Sequence, residues 1–129
     1  MKEYINLWIT DLLNRSPLDI KGISSAQGIC NRPGPSGMIT AKVKISLGPS
    51  DRIIVINEVK GEDRKTLEMH NFDEQIIFGA LDVLLTAKLH PYRTFELRIL
   101  EVEIHEITTV PIAFRIAAAD AITKIMRSW

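Results

Sequence analysis

The residues of this sequence that could carry chemistry are few and mostly stand apart. Glu101, Glu103 and His105 alternate along one segment, so on a strand they share a face, with two carboxylates beside an imidazole. Such a trio moves protons only if burial tunes it. On an open strand face the same charges serve to discourage pairing with other chains. Ser36 sits in Gly34-Pro35-Ser36-Gly37. A nucleophile there needs a base held within reach, and only Lys42 and Lys44 follow nearby. Pro33 and Pro35 also remove two of the backbone N–H groups that a phosphate-cradling loop would use. His70, His90 and His105 are widely spaced and Cys30 is the one cysteine, so no metal-ligand spacing occurs and no cofactor is indicated. The pair Arg64-Lys65 is flanked by Glu62, Asp63 and Glu68, a mixed-sign run that reads as a solvated connection. These residues point to no catalytic centre, and the expectation is a protein that is not an enzyme.

The composition agrees with a folded domain. The chain has 129 residues, 46% apolar and 25% charged, which suits one domain with a core and excludes a disordered chain. Sixteen basic residues balance sixteen acidic ones. A domain that grips nucleic acid by charge usually shows a basic excess, so non-specific binding to a phosphate backbone should be weak and salt-sensitive. No apolar run is long enough to span a membrane, and the acid-bearing N-terminus does not read as a signal peptide. A single cysteine fits a reducing, cytoplasmic compartment.

The elements that would position these residues follow from periodicity. Residues 3 to 14 predict an amphipathic helix, with Ile5, Trp8, Ile9, Leu12 and Leu13 on one face and Pro17 as its stop. That face suits packing on its own domain or docking on a second subunit, with Ile5, Trp8, Ile9 and Leu12 as the oligomer contact. Residues 16 to 37 are rich in glycine and proline and read as loop, enclosing at most a short strand near Ile20–Ile23, with 32 to 37 as a tight turn. Met38 to Leu47 alternates cleanly and predicts a half-buried strand. After Gly48-Pro49-Ser50-Asp51, the run Arg52 to Val59 predicts a second, more buried strand, paired with the first as a hairpin. Lys60 to His70 is expected to be a wet loop. Asn71 to Leu89 predicts a central helix, capped by Asn71 or Asp73, covered on most sides and closed by Pro91. Thr94 to Ile107 predicts a long strand in which apolar parity flips between Ile99 and Leu100, as a one-residue bulge requires. Thr108-Thr109 then cap a last helix that runs to about Arg127, with Phe114, Ala118, Ala121, Ile122 and Ile125 as its apolar stripe and Trp129 folding back. This order predicts an α+β two-layer sandwich with helices on one face of the sheet.

At the last strand and helix the sequence resembles a known family. His105-Glu-Ile-Thr-Thr-Val-Pro-Ile-Ala-Phe-Arg-Ile-Ala117 is similar to the end of domain IV of translation elongation factor G, a pattern of the form H-E/D-V-D-S-S-E-L-A-F-K-I/L-A. Gly79-Ala-Leu-Asp-Val-Leu-Leu85 resembles the family's G-I-x-E-x-L helix, and Pro91 with Phe95-Glu-Leu-Arg-Ile99 its Y-P-V-V-D-V-K-V strand. Gly34-Pro-Ser-Gly37, an alternating strand and Gly48-Pro49 are similar to its G-G-R-G loop, strand and closing E-P. The resemblance covers about residues 34 to 127. The first thirty-three residues lie outside it, and with the helix reading the chain is expected to divide into an N-terminal helix (1–15) and a domain IV-like domain (16–129).

The resemblance implies the fold of the C-terminal domain of small-subunit ribosomal protein five, with a left-handed βαβ crossover, here carrying an extra N-terminal helix. It further implies two tip loops that meet the ribosome or structured RNA, formed by Gly34, Ser36 and Gly37 and by His105, Thr108 and Thr109. Arg32 would stand in for the family's lost tip arginine. The sequence has no G-x-x-x-x-G-K-[ST] loop and no room for a GTPase domain, so GTP-driven movement is not implied for this chain. Three readings follow: a docking module for ribosome or RNA, a protein-interaction or oligomerisation module that kept the fold, and an enzyme of the same broad superfamily, which includes serine/lysine peptidases and small-molecule kinases. The last needs a pocket with convergent polar groups, and no small-molecule substrate emerges from the sequence.

Overall fold

A computed structural model describes residues 2–14, 20–86, 92, 94–105 and 107–129, with the side chains of residues 12–14 excepted. Among these residues four strands and four helices follow in the order α1 (Glu3–Asn14), β1 (Ser24–Gly34), β2 (Gly37–Gly48), β3 (Ile53–Asn57), α2 (Gly61–Met69), α3 (Phe72–Leu84), β4 (Phe95–Glu103) and α4 (Pro111–Arg127). The strands form one sheet in the order β1-β2-β4-β3, antiparallel except for the parallel pair β3 and β4. The chain is therefore an α+β two-layer sandwich, as the element order predicts.

The core lies between one face of the sheet and the helices α3 and α4. Ala41, Val43, Ile45 and Leu47 of β2 and Phe95, Leu97 and Ile99 of β4 point into it, and Ile76, Ala80 and Leu84 of α3 meet them with Phe114, Ala118, Ile122 and Ile125 of α4. The stripe read from the last helix is buried throughout. Trp129, expected to fold back onto that stripe, instead meets Ser24 and Tyr92: its Nε1 donates to Ser24 Oγ at 3.3 Å, and its ring meets Tyr92 edge-on at 5.5 Å. The parity flip in β4 is also present. Ile45 pairs with Ile99 and Lys44 with Glu101, which leaves Leu100 as the extra residue of a bulge. Beyond it Glu101 and Glu103 stand exposed, whereas Val102 opposite Val43 is half-buried.

Six local expectations need correction. The strand before the Pro-Gly turn is not a fragment at Ile20–Ile23 but β1, eleven residues from Ser24 to Gly34. Ile20 is buried outside any strand. The strands β2 and β3 do not form a hairpin, because β4 inserts between them and pairs with both. The expected loop at 60–70 is the helix α2, held by the pairs Arg64–Glu68 at 3.0 Å and Glu62–Lys65 at 3.4 Å and anchored by Leu67. Asn71 sits at the N-cap position of α3 in the left-handed region (φ 54°) and makes no side-chain cap bond, while Asp73 Oδ1 accepts only from the neighbouring Glu74 N–H. The helix α3 closes at Leu85, and β4 ends at Glu103 rather than Ile107. The expected stops at Pro17 and Pro91, residues 87–89, His90 and Glu106 lie outside the described residues.

Candidate tip site

Two loops project at one end of the sheet. The first is the two-residue turn Pro35-Ser36 between the paired Gly34 and Gly37. Gly37 takes φ +123°, which a side chain would resist, so the turn fixes glycine there. Arg32, Pro35, Ser36, Gly37 and Met38 are exposed, and Gly34 is half-buried. The second loop, residues 104–110, joins β4 to α4. Lys42 of β2 pairs with Glu103 of β4, so both loops leave the sheet at this same end. The turn at Ser36 lies four residues along β2 beyond Thr40, about 13 Å at strand rise, so the hairpin overhangs the second loop.

Threonines clamp the two together. Thr40 N–H donates to Thr108 O at 3.1 Å, Thr109 Oγ1 donates to Thr40 O at 2.8 Å, and the Thr40 and Thr108 hydroxyls lie 2.5 Å apart. Thr109 also closes its own loop, since its hydroxyl accepts from His105 N–H at 2.8 Å and its N–H donates to His105 O at 2.9 Å. The expected capping role of Thr108 and Thr109 is therefore incorrect. The N-cap of α4 is Val110, which makes no side-chain cap bond, with Pro111 following it, and the threonine hydroxyls bind the loop to β2 instead. Ile107 at the loop is 92% exposed, a large apolar side chain held out by this clamp.

His105 is exposed, and its Nε2 lies 3.0 Å from Glu103 Oε1, while Glu103 Oε2 lies 3.4 Å from Lys42 Nζ. This row spans the outer sheet face, as the alternation of Glu101, Glu103 and His105 predicts. Its members are open to water, so it orients the imidazole and does not form a buried acid–base pair. Ser36 gains no base from β2. Lys42 is six residues away along the strand, about 20 Å, and is committed to Glu103. Cys30 is buried in the core, and burial pushes its thiol up against the opposing pull of the nearby Arg32 charge, which marks it as inert.

A cleft of about 550 Å³ lies behind the second loop. Asp63, Thr66 and His70 line one wall from α2 and its C-cap, Ile104, His105, Thr109, Val110 and Pro111 line the other, and Phe72 contributes from the start of α3. Sequence reasoning missed the α2 wall because it took 60–70 for a loop. The spacing Asp63, Thr66, His70, one face of a helix, was the available signal. Among the described residues no group of three His, Cys, Asp or Glu side chains is arranged to hold a metal ion.

None of the predicted oligomer residues that are described belongs to the buried core. Tyr4, Leu7 and Trp8 are 65, 63 and 61% exposed, Ile5 and Ile9 are half-buried, and of Leu12 only the backbone is described. Among the described residues α1 packs substantially against no other element. No helix among them is long and apolar enough to cross a membrane.

The two-layer sandwich is a fold seen in solved structures. One of them, a crystal structure of a protein from Thermus thermophilus, aligns with a TM-score of 0.73 and 22% identity over 84% of this chain. The alignment takes in 16% of that protein, so the present chain matches a small part of a much longer one. No family model and no curated protein sequence matches the chain.

Proposed function

We propose that this protein is a non-catalytic docking module of the elongation factor G domain IV type, cytoplasmic, which meets the ribosome or structured RNA through its two tip loops. The observation that supports this reading is the shared, clamped end of the sheet. A hairpin bearing Arg32 on β1 and Ser36 at its turn overhangs a loop bearing His105 and Ile107, and Thr40 fixes the offset between them. Loops held in a fixed relation suit recognition of RNA shape through a few polar contacts to phosphate and 2′-hydroxyl groups. With no net charge on the chain, such binding rests on fit more than on counterion release. Co-sedimentation with 70S ribosomes and isolated subunits over a salt series is the test. Binding at low salt that falls several-fold in His105→Ala and Arg32→Ala is the expected result. No pelleting at low salt, where charge attraction is strongest, overturns it.

A second reading has its own observation. The exposed side chains Tyr4, Leu7 and Trp8 on α1 are an apolar surface that nothing in the described chain covers. A twelve-residue helix is marginal alone in water, so α1 gains from a partner. A homo-oligomer through α1 predicts a mass that rises with concentration in sedimentation equilibrium and returns to the monomer in Trp8→Ala. A monomer at high concentration counts against it.

A further inference from the structure

The cleft behind the second tip loop has one wall, built by α2 and the start of α3, that the docking reading does not use. Its size falls within the range of small-molecule sites, about 300–1,000 Å³. One wall is an aromatic platform. The His70 ring stacks on Phe72 with centroids 5.2 Å apart and planes 29° apart, and Phe72 leans on Phe114 at 5.1 Å. Phe72 and Phe114 are buried and His70 is exposed, so the core holds the imidazole plane in place at the cleft. A fixed flat ring at an open cleft suits stacking by another flat ring.

The same wall ends in a free acceptor. Asp63 is exposed and makes no hydrogen bond or ion pair among the described residues, whereas the other charged side chains of α2, Glu62, Arg64, Lys65 and Glu68, are paired with one another. Asp63 and His70 are seven residues apart along α2, about 10 Å of helical rise, which a stacked purine and one hydrogen-bonded carboxylate fill. An ionised carboxylate only accepts, through two oxygens side by side. Its match on a planar ring is a pair of adjacent N–H donors. Among the four RNA bases only guanine presents such a pair, N1–H beside the exocyclic amine. Adenine and cytosine set a bare ring nitrogen against the carboxylate, and uracil flanks its one N–H with two carbonyls. Opposite, the Thr109 hydroxyl is spent on His105 N–H and Thr40 O and the His105 imidazole is paired with Glu103, so the rest of the far wall offers the apolar surface of Ile104, Val110 and Pro111.

We infer that this cleft receives an unstacked guanine base, stacked on His70 and read along its Watson–Crick edge by Asp63. The inference rests on the docking reading for its source, an unpaired guanosine in the RNA that the tip loops meet, and it gives that reading a base preference that shape alone lacks.

The test titrates the full chain with guanosine, adenosine and cytidine 5′-monophosphates and follows backbone amides by NMR. Saturable shifts confined to residues 62–72 and 104–111, strongest for the guanosine nucleotide, are expected. His70→Ala should weaken that binding about tenfold, within the range measured for loss of one stacking partner. Asp63→Asn should abolish the preference for guanine while leaving stacking in place. Both side chains are exposed, so the amide spectra of the variants report an intact fold. Shifts absent at millimolar nucleotide, shifts elsewhere on the surface, or equal response to all three nucleotides overturn the inference. The ribosome experiment fails separately. Pelleting that depends on Arg32, which lies outside the cleft, without cleft shifts removes the guanine site alone, and guanine-selective cleft shifts without pelleting remove the ribosome as the source of that base.

Discussion

The helices α4 and α1 both show an apolar stripe in the sequence, yet only α4 is buried. The difference lies in what faces them. Against α4 the chain sets two glycines. At Gly28 of β1 an added Cβ would lie 1.8 Å from Ala117 O, and at Gly79 of α3 one would lie 2.1 Å from Arg115 O. The backbone of α4 thus touches a strand on one side and a helix on the other. Its polar face then fastens the outer strand: Asp120 Oδ2 accepts from Ile29 N–H at 3.0 Å, and Lys124 Nζ donates to Gln27 O at 2.9 Å. Nothing comparable faces α1 among the described residues. Amphipathicity says that a helix wants a surface, and the complementary small residues say whether its own domain supplies one.

The largest effect that would break this contrast is at the glycines. Alanine in place of glycine inside a helix normally adds up to about 1 kcal/mol. At Gly79 the new methyl group meets backbone, and overpacking of about 1–3 kcal/mol or more reverses the sign. Gly79→Ala and Gly28→Ala should both lower the midpoint of urea unfolding, Gly28→Ala more, and a gain in either would show that α4 is not wedged as described.

A smaller effect concerns the ion pair on the same seam. Arg115 Nε and Nη2 donate to the two Asp82 oxygens at 2.7 and 2.8 Å, and the guanidinium lies 5.8 Å from the Phe78 ring. Hydrogen bonding to Arg115 holds the Asp82 carboxyl below its ordinary value. A lowered folded-state value contributes stability above the unfolded value, near 3.9, that is lost as pH falls through the folded one. Asp82→Asn should therefore unfold more easily than the parent at neutral pH, with the gap closing in acid. The pair is nearly half-exposed, so the gap is small. A gap that widens in acid would assign the opposite sign.

The smallest effect is at α1. Trp8→Ala should leave the unfolding midpoint of the monomer within about 0.5 kcal/mol of the parent, the usual span for surface substitutions. A larger loss would mean that Trp8 packs on its own domain after all.

Much of this was legible in the residues. The alternation of β2, the parity flip of β4 and the stripe of α4 each encode burial directly, and each formed as read. The strand β1 was hidden because its inward residues, Ala26, Gly28 and Cys30, are small where α4 presses on them, and small residues resemble a loop. The helix α2 buries only Leu67, so it carries no stripe to read. The β2–β3 hairpin was inferred from a short connection, yet pairing is decided by every strand in the sheet, and β4 arrives from 38 residues further on to take both partners. At the site, Glu103 beside His105 followed from strand parity, whereas the Thr40 clamp and the α2 wall depend on contacts between distant segments.

The position of β4 also sets the order in which the chain can fold. Among the described strands only β1 and β2 are joined by a tight turn. β3 has no strand to join until β4 closes a long loop, as Asn57 finds Ile99, and β1 has no cover until α4 arrives, with Ile29 and Asp120 separated by 91 positions. Closing such loops costs entropy before any contact rewards it. A chain so arranged should collapse slowly for its size and in nearly one step, since the contacts that seal the first strand come from the last helix.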